Sequence, residues 1–224
     1  TVVNNDQYVL SKRFRGFLPV VIDVETAGFN AQTDALLEIA AVTVKYSHNG
    51  ILQRDETFAC HVEPFPGANL EQRALDFTGI DPFKPFRMAK KEKEALERVF
   101  KPINALVKKH GCTRAVLVAH NAFFDLGFIN AAVERTKVKS PFHSFSSFDT
   151  ATLAGLAYGQ TVLAKAAYAA EVEWDSSQAH SAIYDAQKTA DIFCKIVNNW
   201  NEKIGIPNLE VRSEEHTSEL QSHS

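Results

Sequence analysis

Leu18-Pro19-Val20-Val21-Ile22-Asp23-Val24-Glu25-Thr26 is the stretch on which the reading of this chain turns. A run this apolar and β-branched reads as a buried strand. The two-residue period of a strand sets Asp23 and Glu25 side by side on one face, at the strand's end. Adjacent carboxylates repel each other, and burial adds a desolvation cost. A positive partner is therefore required: a Lys or Arg, a proton, or a metal ion. No Lys or Arg lies between Arg15 and Lys45, which favours the metal.

Outward from that strand, Leu36 to Val44 reads as a second strand, and His48-Asn49-Gly50 carries a hairpin signal. Residues 51–62 return as a third strand. Ala115-Val116-Leu117-Val118 reads as a buried strand of the parallel kind. Helices are expected near 69–76, 90–109, 122–134, 149–158, 161–170 and 181–203, with Pro102 a point of kink or break in the second. Strands in hairpin order, then strands alternating with helices, predict an α/β fold with a mixed sheet flanked by helices.

The 224 residues suffice for one domain with a sizeable core. A net charge of −3 gives no global sign of nucleic-acid binding, so any basic surface must be local. Cys60, Cys112 and Cys194 are odd in number and lack C-x-x-C spacing, which argues against a disulfide framework and a zinc site and for a reducing, cytoplasmic setting. No apolar run is long enough to span a bilayer, and the first residues lack a signal-peptide pattern. Residues 1–12 are polar and are expected to be loosely ordered. Residues 212–224 carry one aliphatic residue and no helical stripe. They look like a translated sequencing adapter and are expected to stand outside the fold.

Two further pieces supply acids. Ala119-His120-Asn121-Ala122-Phe123-Phe124-Asp125 follows the parallel strand, with Asn121 a candidate N-cap and Asp125 in the first helical turn. Gln178-Ala179-His180-Ser181-Ala182-Ile183-Tyr184-Asp185 opens the last helix, with Ser181 a candidate cap. Singly, each residue is more often structural than functional: an acid in a first turn is favoured by the helix dipole alone.

Together, Asp-x-Glu on the first strand, the Asp of His-Asn-x-x-Phe-Asp and the His-x-x-x-x-Asp near the last helix resemble the three motifs of the DEDDh exonuclease superfamily. The likeness runs from about residue 13 to about 205, the expected exonuclease domain. Flanking stretches such as Phe14-Arg15-Gly16-Phe17, His61-Val62-Glu63-Pro64-Phe65 and Gly79-Ile80-Asp81-Pro82 resemble a bacterial exoribonuclease branch of it.

The resemblance implies a ribonuclease H-like five-stranded mixed sheet and a 3′-to-5′ exoribonuclease that trims single-stranded 3′ ends of structured RNAs such as tRNA. Single-stranded DNA is a further implied substrate. It implies two Mg²⁺ per site, with Mn²⁺ as a substitute, held by Asp23, Glu25, Asp125 and Asp185. His180 is implied as general base, a task suited to a side chain that exchanges protons near neutral pH. Phe29, Phe77, Phe124 and Phe145 are implied to sandwich terminal bases, as aromatic rings do for single strands. Arg73 falls where the family carries a base-discriminating glutamate. The family works as a homodimer, and Arg13, Arg15, Lys108, Arg114 and Lys139 match its RNA-feeding basic patch. A proofreading-type DNA exonuclease or an oligoribonuclease would use the same metal chemistry. A non-catalytic RNA-binding module would be expected to lack one of the five acid and histidine residues.

Overall fold

The computed structural model describes residues 9–207. A single helical turn, α1 (Leu10–Arg13), leads into β1 (Phe17–Thr26). β1 pairs antiparallel with β2 (Leu36–Tyr46), and β2 with β3 (Leu52–His61). On its other side β1 pairs parallel with β4 (Arg114–Ala119), which pairs parallel with β5 (Phe142–Asp149). The sheet order is β3-β2-β1-β4-β5, so the acidic strand is central.

Leu18, Val20, Val21 and Ile22 are almost fully buried, which explains the unbroken apolar run: β1 is covered on both faces. α3 (Glu92–Lys109) and α4 (Ala122–Thr136) pack against each other and the sheet. α5 (Thr150–Tyr158), α6 (Leu163–Ala169) and α7 (Ala182–Lys203) form a second group, with α7 laid across β1, β2 and β3. α3 runs through Pro102 as one helix. A third, small core of Ala27, Ala35 and Leu37 carries Leu75 and Ile80 on it. That core fixes α2 (Gln72–Thr78) beside the end of β1.

Several expectations are corrected. Leu10 is buried within α1, so part of the stretch read as loosely ordered is packed. Residues 1–8 and the adapter-like stretch 212–224 lie outside the described residues. Phe142–Asp149 forms a further strand, β5, which the local sequence pattern did not mark. Asn121 has a left-handed backbone and its side chain caps nothing; the Asp149 carboxylate instead accepts from the Asn121 and Ala122 N–H groups. Ser181 flanks α7 without a side-chain cap hydrogen bond.

Candidate active site

β1 ends in a register shift between Glu25 and Thr26, a bulge-like irregularity of the kind that re-aims side chains. Asp23 and Glu25 project there towards the start of α7. Asp185, in the first turn of α7, completes a cluster: one carboxylate oxygen from each of Asp23, Glu25 and Asp185 lies within 4.8 Å of the others. Asp125, in the first turn of α4, accepts the Val24 N–H at 3.0 Å, which ties it to the backbone between the two β1 acids.

The charges in this cluster are unbalanced. Burial raises the Asp23 carboxyl well above the usual carboxylate range, and Asp125, Glu25, Asp185 and Glu38 push it further up. Burial, then Asp185, Glu38 and Asp125, raise Glu25 to about 8. Burial raises Asp125 to about 8 against the opposing pull of the Val24 N–H. Asp185 is raised by burial, with the His180 N–H and its nearby ring pulling the other way. Asp185 Oδ1 is buried and has no hydrogen-bond partner among the described residues. A set of hard oxygen donors with an orphaned buried oxygen and, among the described residues, no Lys or Arg acting on Asp23, Glu25 or Asp125 fits a divalent cation such as Mg²⁺.

His180 lies just before α7 in a left-handed conformation (φ 66°), which His tolerates better than most residues. Its N–H donates to Asp185 Oδ2 at 3.2 Å, and its ring packs on Phe77 with centroids 4.3 Å apart. The histidine thus bridges the acids and an aromatic face. A cavity of about 480 Å³ opens beside it, lined by Glu25, Gly28, Phe29, Glu71, Arg73, Phe77 and Phe124 among others. Phe29 and Phe77 are 84% and 67% exposed, an unusual placement for large apolar rings. Phe29 meets Phe124 edge-on at 6.0 Å.

Phe145 is not part of this cavity. It lies on β5 against His143, in a groove with Arg13, Arg15, Phe14 and Phe17. Arg114 begins β4 opposite Phe17, and Lys108 lies in the last turn of α3. Arg13, Arg15, Arg114 and Phe145 therefore gather towards the other end of the sheet. From Phe17 to Glu25 is about 26 Å at strand rise.

Two residues that the sequence reading passed over shape the cavity. Asp34 is 2% exposed and accepts from the Asn30 N–H (2.9 Å), the Thr33 hydroxyl (2.8 Å) and the Asn69 amide (3.0 Å), with the Phe29 N–H also contributing. Burial alone would raise its carboxyl, but these bonds outweigh it and hold it low. Through Asn69, Asp34 couples the Phe29 loop to the segment entering α2, which carries Phe77. A Cβ on Gly28 would come within 2.0 Å of Asp34 Oδ2, so only glycine fits there. Glu71 is the second; it lines the cavity beside Arg73. The Asn30-Ala31-Gln32-Thr33-Asp34 turn was a signal for the first; its partner Asn69 could not be inferred locally.

An acidic cluster on the central strand of a ribonuclease H-like sheet, beside an open aromatic cavity, fits a nuclease whose carboxylates could hold a metal ion. The chain matches the family RNase_T, described as Exonuclease, over residues 20–193. Ribonuclease T of Vibrio vulnificus (strain YJ016) is 59% identical over 214 residues, covering 95% of this chain and 99% of that protein. The chain therefore belongs to the ribonuclease T family. Among solved structures, a full-length 3′-exonuclease shares the fold at TM-score 0.64 and 18% identity, over 82% of this chain and 83% of that one. Exonuclease I of E. coli in complex with a dA16 oligonucleotide does so at TM-score 0.61 and 18% identity, over 82% of this chain and 41% of that one. No helix among the described residues is long and apolar enough to cross a membrane.

Proposed function

We propose that this 3′-to-5′ exoribonuclease trims single-stranded 3′ ends of structured RNAs, tRNA among them, releasing nucleoside 5′-monophosphates, and that it also degrades single-stranded DNA ends. The observation that carries the reading is the meeting of Asp23, Glu25 and Asp185 within 4.8 Å beside a cavity lined by Phe29, Phe77 and Phe124.

Asp23, Glu25 and Asp185 would hold one Mg²⁺; Asp23 would also reach a second, and Asp125 would join through water. Mn²⁺ would substitute. Bound there, divalent ions supply charge stabilisation to the attacking and leaving oxygens of an in-line displacement. His180 takes the proton from the attacking water as the new phosphorus–oxygen bond forms and the bond to the upstream 3′-oxygen breaks, and that oxygen takes a proton from solvent water to leave as the new 3′-hydroxyl. The rings of Phe29 and Phe77 hold the terminal base, at roughly 1–3 kcal/mol per stacked base. Phe124 supports Phe29 from its edge. Arg73 and Glu71 meet the base edge and set its preference. The exonuclease domain runs over 13–205.

We further propose a homodimer. Arg13, Arg15, Arg114 and Phe145 lie a β-strand's length away from this chain's own carboxylates, too far to present an end to them. A second subunit set against that face would receive RNA held there. Lys108, in the last turn of α3, and Lys139, just before β5, are exposed and would add to the basic patch. A cytoplasmic setting is supported by the three free thiols, two of them buried.

The test is hydrolysis of a 3′-labelled tRNA, a single-stranded DNA and a duplex with a short 3′ overhang, each with and without Mg²⁺. Wild type should shorten all three only with the metal, and Asp23→Asn should shorten none. Turnover by Asp23→Asn at the wild-type rate would end the assignment.

A further inference from the structure

Between α2 and α3 the chain reads Asp81-Pro82-Phe83-Lys84-Pro85-Phe86-Arg87-Met88-Ala89-Lys90-Lys91. Phe83, Phe86 and Met88 are 76%, 94% and 77% exposed. Phe86 and Met88 both adopt left-handed backbone angles (φ 65° and 58°), a costly conformation for bulky side chains. Arg87, between them, turns the opposite way. Its guanidinium donates to the Val62 carbonyl at 3.0 Å and to the Leu37 carbonyl. The segment's end is fixed by the Lys90 N–H on the His61 carbonyl (2.9 Å) and the Glu63 N–H on the Lys90 carbonyl (2.8 Å). Pinned in this way, the backbone holds three large apolar side chains in water, an arrangement that marks a binding surface rather than a packing accident.

Its place in the fold says what it binds. The segment begins two residues after Gly79, the C-cap of the helix that carries Phe77. Its Arg87 anchor reaches Leu37, whose neighbour Glu38 lies directly opposite Glu25 across the strands. Leu37 lies on β2, one strand spacing (about 5 Å) from β1, at the same end of the sheet as the carboxylates. The surface therefore lies at the same end of the sheet as the aromatic cavity and follows directly on the helix that carries Phe77. Lys84 and Lys91 add positive charge, while Lys90 is paired with Glu94 at 3.1 Å. Aromatic faces interleaved with cations are the composition that takes up single-stranded nucleic acid.

We propose that residues 81–91 form a further RNA-binding surface, distinct from the basic groove, where Phe83 and Phe86, flanked by Met88 and Lys84, stack bases upstream of the terminal one. The proposal rests on the reading that the 3′ end lies at Phe29 and Phe77. It adds a length preference: ends with several unpaired nucleotides bind more tightly than ends with two or three.

The test compares the full-length protein with a Phe83→Ala/Phe86→Ala/Met88→Ala variant. Binding of oligoadenylate RNA of three and of twelve nucleotides is read by fluorescence anisotropy in EDTA, and hydrolysis is then followed in Mg²⁺. Removing one base stack or more should weaken twelve-nucleotide binding about tenfold or more. Trinucleotide binding and kcat should stay unchanged. Equal twelve-nucleotide affinities for the two proteins overturn the proposal. So does an equal loss on both lengths accompanied by a dimer-to-monomer change in sedimentation, which makes the surface a contact between copies. Because binding is read without turnover, failure of hydrolysis in both proteins sinks the proposed function and leaves the binding comparison to decide the surface.

Discussion

Replacing Glu25 by Gln should stabilise the metal-free protein at alkaline pH while abolishing its activity. Burial and three neighbouring carboxylates raise the Glu25 carboxyl from 4.5 to about 8. A folded-state pKa above the unfolded one means that the fold favours the protonated acid. The contribution to stability is complete below about pH 4.5, declines as pH rises, and is fully lost above about 8. A rise of about 3.5 units, at roughly 1.4 kcal/mol per unit, amounts to something on the order of 5 kcal/mol. Glutamine has no charge to lose, so wild type and Glu25→Gln should melt alike at pH 4 and diverge through pH 5–8. At pH 9 the variant should melt about 10 °C or more above wild type, at about 2–4 °C per kcal/mol for a chain of this size. The assay is thermal unfolding by circular dichroism in EDTA at each pH. Adding Mg²⁺ at pH 8 should raise the wild-type melting temperature far more than the variant's, because the cation neutralises the same cluster. Parallel melting profiles across pH, together with no Mg²⁺ effect on wild type, would refute the assignment of the cluster as a cation site.

Three further outcomes are expected. His180→Ala should lose most of kcat yet keep its Mn²⁺ affinity by calorimetry, since the His180 side chain is not one of the clustered carboxylates; a large loss of metal binding would place it among the ligands instead. Phe29→Ala with Phe77→Ala should raise KM by tenfold or more while leaving Mn²⁺ binding intact, each ring carrying roughly 1–3 kcal/mol of stacking. Gly28→Ala should raise KM and cost more than about 1 kcal/mol in urea unfolding, because the new Cβ meets Asp34 Oδ2 at 2.0 Å; wild-type values for both would show that the Phe29 loop is not set by that contact.

The pairing of Asp23 with Glu25 was legible because a strand's two-residue period is a local rule, and nine residues were enough to apply it. β5 was hidden for a matching reason. Phe142-His143-Ser144-Phe145-Ser146-Ser147-Phe148-Asp149 is an edge strand, rich in Ser and half exposed, without the apolar run that marks β1. The cap at α4 was assigned to Asn121 from its neighbours in sequence, but Asp149 arrives from β5 and supplies the oxygen. Asp34 has the composition of an ordinary turn acid, and only its hydrogen bond to Asn69, 35 residues on, shows it as the clasp between two aromatic faces. Phe145 resembled the other three rings in text, yet the parallel pairing of β5 with β4 carries it to the basic groove.

By itself, then, the sequence determined that the strand at 18–26 is buried, that two acids share its face, and which family's chemistry the motifs serve. Only the tertiary structure decided how far the acids come together, since Asp125 bonds to the Val24 N–H from 101 residues away and Asp185 arrives on a helix still further along the chain. The physical reason is the range of the forces. Backbone geometry and hydrophobic period act between near neighbours, whereas mutual desolvation, shared charge and the placement of Phe77, Phe86 and Phe145 exist only once distant segments are packed against one sheet.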